Sequence, residues 1–205
     1  GGCHSRVSSV LFRAHSMGAP ADTAKCCPPV TISSLIGVLL ASLYNPNLAW
    51  DEYSHWVGLA EVEVVSMMAQ LLGYDPERAG GMFTFGGTGT TLYGMKLGLE
   101  KSLPCSMEHG IREDAVVFAS DNSHYCRYNI AGWLGLGSYN LITIPTAIHN
   151  EIDLKVLREQ AVQALQAGRK IVGMIATLGT TDAFGLDDLQ GMVRLRNELV
   201  QEFSL

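Results

Sequence analysis

Short apolar runs alternate with helix-length segments over residues 115–203, and this alternation predicts an α/β fold with a mainly parallel sheet and helices on both faces. Two further observations agree. A glycine turn, Gly86-Gly87-Thr88-Gly89, stands between the apolar run 82–85 and a helix-compatible stretch. Aspartates also stand where helices should begin: Asp153 before one and Asp187 before another, the latter with Gln190 at capping-box spacing.

Each element follows from local chemistry. Residues 1–30 mix Gly, Ser, His, Pro and Cys without a period and predict an irregular arm closed by Pro28-Pro29, followed by a mainly apolar segment at 32–44 and a turn at Asn45-Pro46-Asn47. Residues 1–53 are thus expected to form an N-terminal arm with its lead-in segment, and 54–205 part of a larger domain. Leu59, Val62, Val65, Met68 and Leu72 recur at helical steps, predicting a helix over 54–72 with one buried stripe and Gly73 as its C-terminal cap. A second helix is expected over 88–101, ended by Leu103-Pro104, with a surface loop at 105–112. Strands are expected at 115–119, 141–144 and 170–176, and helices at 123–134, 154–166 and 187–203.

Composition narrows the function. At 47% hydrophobic and 17% charged residues, the chain can bury a sizeable core. The net charge of -6, with 14 scattered Lys and Arg, argues against a nucleic-acid surface. The apolar run 35–43 is too short for the ~20 residues that span a bilayer. Cys3, Cys26, Cys27, Cys105 and Cys126 form no C-x-x-C and no metal-ligand spacing, so they read as reduced thiols of a cytoplasmic protein without a metal site.

In a parallel sheet, ligands sit beyond the carboxyl ends of the strands. Three polar segments are expected there: Gly86 to Thr90, Ser120-Asp121-Asn122-Ser123-His124, and Thr177-Leu178-Gly179-Thr180-Thr181. The first is built for an anion, because glycines let the backbone approach closely and the helix start offers unpaired N–H groups. It is not a P-loop, since Met95 stands where the lysine should be, and no dinucleotide fingerprint fits, since Leu92 and Asn140 occupy the required glycine positions. His124 has a functional setting at a helix start; His4, His15, His55, His109 and His149 read as structural or surface residues. Thr177 and Thr180 could offer hydroxyls or simply form a turn.

In this order the three segments resemble the pyridoxal-phosphate decarboxylases that include glutamate, aromatic amino acid and histidine decarboxylases. Thr84-Phe85-Gly86-Gly87-Thr88 is similar to that family's T-S-G-G-T loop, Ser120-Asp121-x-x-His124 to its S-D-x-x-H segment, and Ala176-Thr177-Leu178-Gly179-Thr180-Thr181 to its A-T-x-G-T-T turn. Asn47 to Glu52 and Glu61-Val62-Glu63 also look like family segments, so the likeness runs from about Pro29 to the last residue. One departure is Gly89, where the family often has Glu.

The resemblance implies an aminotransferase-like large domain of pyridoxal-phosphate fold type I, with pyridoxal 5'-phosphate as cofactor. It implies that Gly87, Thr88 and Gly89 hold the phosphate, that His124 covers the ring as a catalytic group, and that Thr177 and Thr180 lie near cofactor or substrate. The implied reaction removes the α-carboxylate of an amino acid to give an amine and CO2, in a homodimer. The family's cofactor lysine and ring-pairing aspartate have no counterpart here, so the expectation is an amino-terminal portion completed by a C-terminal portion or a complementary chain. Two alternatives stay open: carbon-carbon lyases acting on phosphorylated amino alcohols, and an inactive subunit of the same fold. Tyr44, Trp50, Tyr53 and Trp56 receive no role, and the substrate is unassigned.

Overall fold

The structure is a computed structural model that describes residues 30–205. The arm expected over 1–30 therefore lies, but for Val30, outside the described residues. The chain divides into two compact units, one ending at Phe83 and one running from Thr84 to Leu205.

The first unit holds α1 (Ile32–Tyr44), α2 (Asp51–Ser54) and α3 (Val57–Leu71). Thr31 caps α1 by accepting from the N–H of Ser34, and Asn45 closes it in the left-handed region with φ 41°. After α3, Gly73 adopts φ 79° while its N–H reaches Gln70 and that of Tyr74 reaches Ala69, a Schellman ending that only a residue at ease with positive φ makes cheaply. The helix is as expected, but its buried stripe is not. Leu59, Val62, Met68 and Leu72 are exposed and only Ala69 is buried, because helical periodicity fixes which residues share a face without supplying what covers it.

The second unit holds α4 (Gly87–Ser102), α5 (Ser106–His109), β1 (Ala115–Ser120), α6 (Cys126–Trp133), β2 (Leu141–Ile144), α7 (Leu154–Gln166), β3 (Lys170–Ile175) and α8 (Leu189–Phe203). The strands form a parallel sheet in the order β2-β1-β3, with Val117 opposite Leu141 on one side and Gly173 on the other. Parallel neighbours need crossovers, and α6 and α7 supply them.

Strand β1 explains the two layers. Its side chains alternate with period two, so Ala115, Val117 and Ala119 pack with Met95, Leu99, Ile130 and Ala131 of α4 and α6. Val116 and Phe118 face the other way, onto Leu157, Ala161, Met192, Leu195 and Leu199 of α7 and α8. Burial on both faces is why the run reads as continuously apolar.

Three local expectations are corrected. Residues 82–85 pair with no strand among the described residues, so the glycine turn follows an irregular segment rather than the strand that its place among the three segments implied. The stretch after Pro104 contains the short helix α5, because the Glu100 carboxyl collects the N–H groups of Cys105 and Met107 and the Ser106 hydroxyl. Helix α8 is capped by Asp188, which accepts from the N–H of Gly191, and not by Asp187, which is buried and turned elsewhere. Asp153 caps α7 as expected, accepting from Lys155 and Val156.

Candidate active site

The first site segment is the start of α4. Gly86 adopts φ 101°, ψ −174°, a conformation confined to glycine, and the chain enters the helix with no side-chain cap. The N–H of Thr90 is the first to find the carbonyl of Gly86, so those of Gly87, Thr88 and Gly89 have no helical acceptor and point outward from the positive end of the helix. The Thr84 hydroxyl braces this turn: it donates to the carbonyl of Gly86 at 2.9 Å and shares a hydrogen bond with Thr90 Oγ1 at 2.9 Å. The absence of a side chain at Gly89 also has a cause, since a Cβ there would stand 2.9 Å from the Thr84 Cβ and 3.1 Å from Phe85 Cδ1. Thr90, Thr91, Gly94 and Met95 then line one wall of a cleft of about 280 Å³ whose other wall is β3 from Val172 to Ile175 with Ala176 just past its end.

The second segment follows β1. Ser120 is fully buried and folds the chain back, accepting from Ser123 through its carbonyl and from Asn122 through its hydroxyl. His124 is exposed; its Nδ1 accepts from the N–H of Cys126 at 3.2 Å, and its ring stacks on Tyr125 with centroids 4.3 Å apart. Arg127 went unremarked in the sequence because an arginine on an amphipathic stretch reads as solvated. It is buried, donates to the carbonyl of Asp121 at 3.1 Å and lies over the Tyr128 ring. The hydrogen bond to Thr143, aided by the Arg127 guanidinium, holds the Tyr128 phenol below the usual tyrosine value against the opposing effect of burial.

The third segment follows β3. Leu178 and Leu186 form an antiparallel bridge that closes a tight turn, with Gly179 at φ 110°. Thr180 is buried inside it: its Oγ1 accepts from the N–H of Gly185 at 2.8 Å, leaving its own proton available to a further acceptor. Thr177 Oγ1 shares a 2.9 Å hydrogen bond with Ser123 Oγ, which joins the second and third segments directly. Asp187 was also missed. Its carboxyl accepts from the N–H of Thr177 at 2.6 Å and of Ile152 at 2.7 Å. The available signal was the Asp187-Asp188 pair itself, because one helix start needs only one cap.

All three segments thus sit at the carboxyl ends of the sheet or on the helix beside it. Ser123 and Thr177 touch, and Thr90 and Ala176 line one cleft. Among the described residues, no group of three or more His, Cys, Asp or Glu could hold a metal, and no helix is long and apolar enough to cross a membrane.

The family described as "Pyridoxal-dependent decarboxylase conserved domain" matches residues 22–201. The chain is 29% identical to an L-2,4-diaminobutyrate decarboxylase of Acinetobacter baumannii over 188 residues, covering 84% of this chain and 36% of that protein. It is 28% identical to the human acidic amino acid decarboxylase GADL1 over 158 residues, 76% of this chain and 30% of that one. The chain therefore spans about a third of the length of these relatives. Among solved structures, apo mouse CSAD superimposes with a TM-score of 0.79 at 23% identity over 87% of this chain and 37% of that one. The rice TDC complex with PLP and tryptamine gives 0.73 at 21% identity over 82% and 36%. The fold is thus part of the aminotransferase-like large domain of pyridoxal-phosphate fold type I, and the chain belongs to the pyridoxal-dependent decarboxylase family.

Proposed function

We propose that this chain carries the phosphate cradle and part of the ring site of a pyridoxal-phosphate-dependent amino acid decarboxylase. The observation that carries the reading is the uncapped start of α4, where Gly87, Thr88 and Gly89 present three N–H groups to an anion behind a turn that only Gly86 can make. The donors suit a phosphate, and the match to the family over residues 22–201 supports this anion over others. Bound pyridoxal phosphate supplies an electron sink that lets an amino acid lose its α-carboxylate as CO2, leaving an amine.

The residues of this chain bind and orient. The N–H groups of 87–89 hold the phosphate; the face of His124 turned away from Tyr125 offers a flat partner for the ring; the Thr177 and Thr180 hydroxyls supply polar contacts beside it. His124 Nδ1 is engaged by Cys126, so Nε2 is the atom through which His124 would hold or pass a proton. The test is a titration of the metal-free, cofactor-stripped full-length protein with pyridoxal phosphate, followed by absorbance above 400 nm and by amine release from candidate amino acids. Saturable binding in wild type that weakens at least tenfold in Gly87→Val supports the reading; binding indifferent to that change sinks it.

We also infer that the working form is a homodimer in the cytoplasm. Helices α1 and α3 bury almost nothing of their own, with Leu35, Leu39, Leu43, Val62 and Met67 exposed, and a second copy would cover such surface. Cys105 and Cys126 are free thiols, as in a reducing compartment. Sedimentation of the full-length protein gives the state, and a monomer at micromolar concentration would remove the inference.

A further inference from the structure

Asp187 is the most completely enclosed acidic group of the second unit, and both of its carboxyl oxygens are used. One receives the N–H of Ile152 at 2.7 Å, in the loop after β2; the other receives the N–H of Thr177 at 2.6 Å, just past the end of β3. The backbone of Asp187 returns the contact, its N–H reaching the carbonyl of Thr177 at 3.1 Å. Thr177 is in turn fastened through its hydroxyl to Ser123 after β1. The Asp187 side chain therefore ties the ends of β2 and β3 directly, the Thr177 hydroxyl carries the tie on to the end of β1, and Thr177 is the residue at which the ties meet. Helix capping does not account for this, because Asp188 performs it.

We propose that Asp187 is a positioning residue that fixes the height of Thr177, and with it the direction of the Thr177 hydroxyl, at the cofactor site. This rests on the reading of the site given above. Asp187 holds the Thr177 backbone at its N–H, at 2.6 Å, and at its carbonyl, at 3.1 Å, and from that setting the Thr177 Oγ1 takes the staggered position that meets Ser123 Oγ at 2.9 Å. Replacing the carboxyl with an amide of the same shape turns one acceptor into a donor that faces an N–H group, and the loop must move to relieve it. Thr177 would then lose its setting although its own side chain is unchanged.

The experiment is a double-variant cycle in the full-length protein, reading the dissociation constant of pyridoxal phosphate for the cofactor-stripped form by fluorescence quenching. Asp187→Asn and Thr177→Val are each expected to weaken binding about tenfold, the worth of one ordinary hydrogen bond, and the double variant no further than either alone. Losses that multiply to about a hundredfold, or a lowered melting temperature of the stripped protein with unchanged binding, give Asp187 a merely structural role and overturn the proposal. If Asp187→Asn yields no folded protein, amide exchange in wild type decides the point. Cofactor should slow exchange at residues 152 and 177 together, and slowing at 177 alone overturns the proposal. A wild type that binds no pyridoxal phosphate sinks the site reading and the proposal with it, whereas a wild type that binds with multiplicative losses sinks only the role of Asp187.

Discussion

Replacing Gly98 with alanine should destabilise the second unit although alanine favours helix. Gly98 lies in α4 where the helix crosses β3, and a Cβ there would stand 2.7 Å from the carbonyl oxygen of Val172 and 3.4 Å from its Cγ1. Carbon and oxygen meet comfortably at about 3.3 Å or more, so helix or strand must give by roughly 0.6 Å. The obstacle is backbone, which cannot rotate aside as a side chain would. Ser102, one turn further on, pins the helix to the same strand through a 3.1 Å bond to the carbonyl of Ile171. Overpacking of this kind costs about 1–3 kcal/mol, and with backbone as the obstacle the upper half of that range applies. The helix preference of alanine over glycine returns about 1 kcal/mol. The net loss is about 1–2 kcal/mol, or a melting temperature lower by about 2–8 °C for a domain of this size. Gly132→Ala in α6 is the control, because nothing lies within 4 Å of its Cβ position and only the helix preference remains. Thermal melts of the full-length protein, followed by circular dichroism, compare the two. Equal midpoints would refute the argument that α4 and β3 are in contact at glycine distance.

Three other outcomes follow from the same structure. The Glu100 carboxyl is held below its ordinary value of 4.5 by the Ser106 hydroxyl above all; the opposing effect of desolvation comes next, and the N–H groups of Met107 and Cys105 and the Lys96 charge add to the lowering. A depressed carboxyl stabilises fully above its unfolded value and ceases to do so as pH falls through the folded one, so Glu100→Gln should flatten the decline in melting temperature below about pH 4.5; an unaltered decline assigns it to other groups. His124→Ala should cost about 1 kcal/mol of stability by removing the acceptor of the Cys126 N–H, and His124→Asn should restore stability but not the absorbance spectrum of bound cofactor; recovery of both in the asparagine variant would show that the imidazole ring contributes nothing beyond its acceptor. Thr84→Val removes the brace on Gly86 and Thr90 at a half-buried position while keeping the shape of the side chain, so cofactor affinity should fall severalfold with little change in melting temperature, and unchanged affinity would leave the glycine turn self-sufficient.

How far the sequence could be read depended on whether the cause of a feature was local. The strands of the sheet were legible because residues buried on both faces must be continuously apolar, and α7 was legible to the residue because Asp153 caps it and Gly168 lies just past its end. The order of the three polar segments was visible for the same reason, since each is written in glycines, threonines and a histidine next to its element. What a residue meets across the fold was not visible. Asp187 reads as a cap because a cap is the local use for an aspartate before a helix, and only folding brings Ile152 and Thr177 to it. Arg127 was hidden likewise, its acceptor being the carbonyl of Asp121 rather than a carboxylate at helical spacing. The run at 82–85 has the composition of a strand, but pairing needs a neighbour that composition does not supply.

The central place of β1 also bears on how the sheet assembles. Pairing β1 with β2 closes the chain between Val117 and Leu141, whereas pairing it with β3 closes the chain between Val117 and Gly173, a loop a little over twice as long. The longer closure costs only about 0.7 kcal/mol more in entropy, too little by itself to set an order. The intervening elements differ: Leu141 of β2 joins the same apolar layer as Val117 and Ile130 of the single crossover helix α6, whereas β3 packs on both layers, its Val172 with α4 and its Ile171 and Met174 with α7 and α8. Pulse-labelled amide exchange during refolding should therefore find residues 115–120 and 141–144 protected before 170–175.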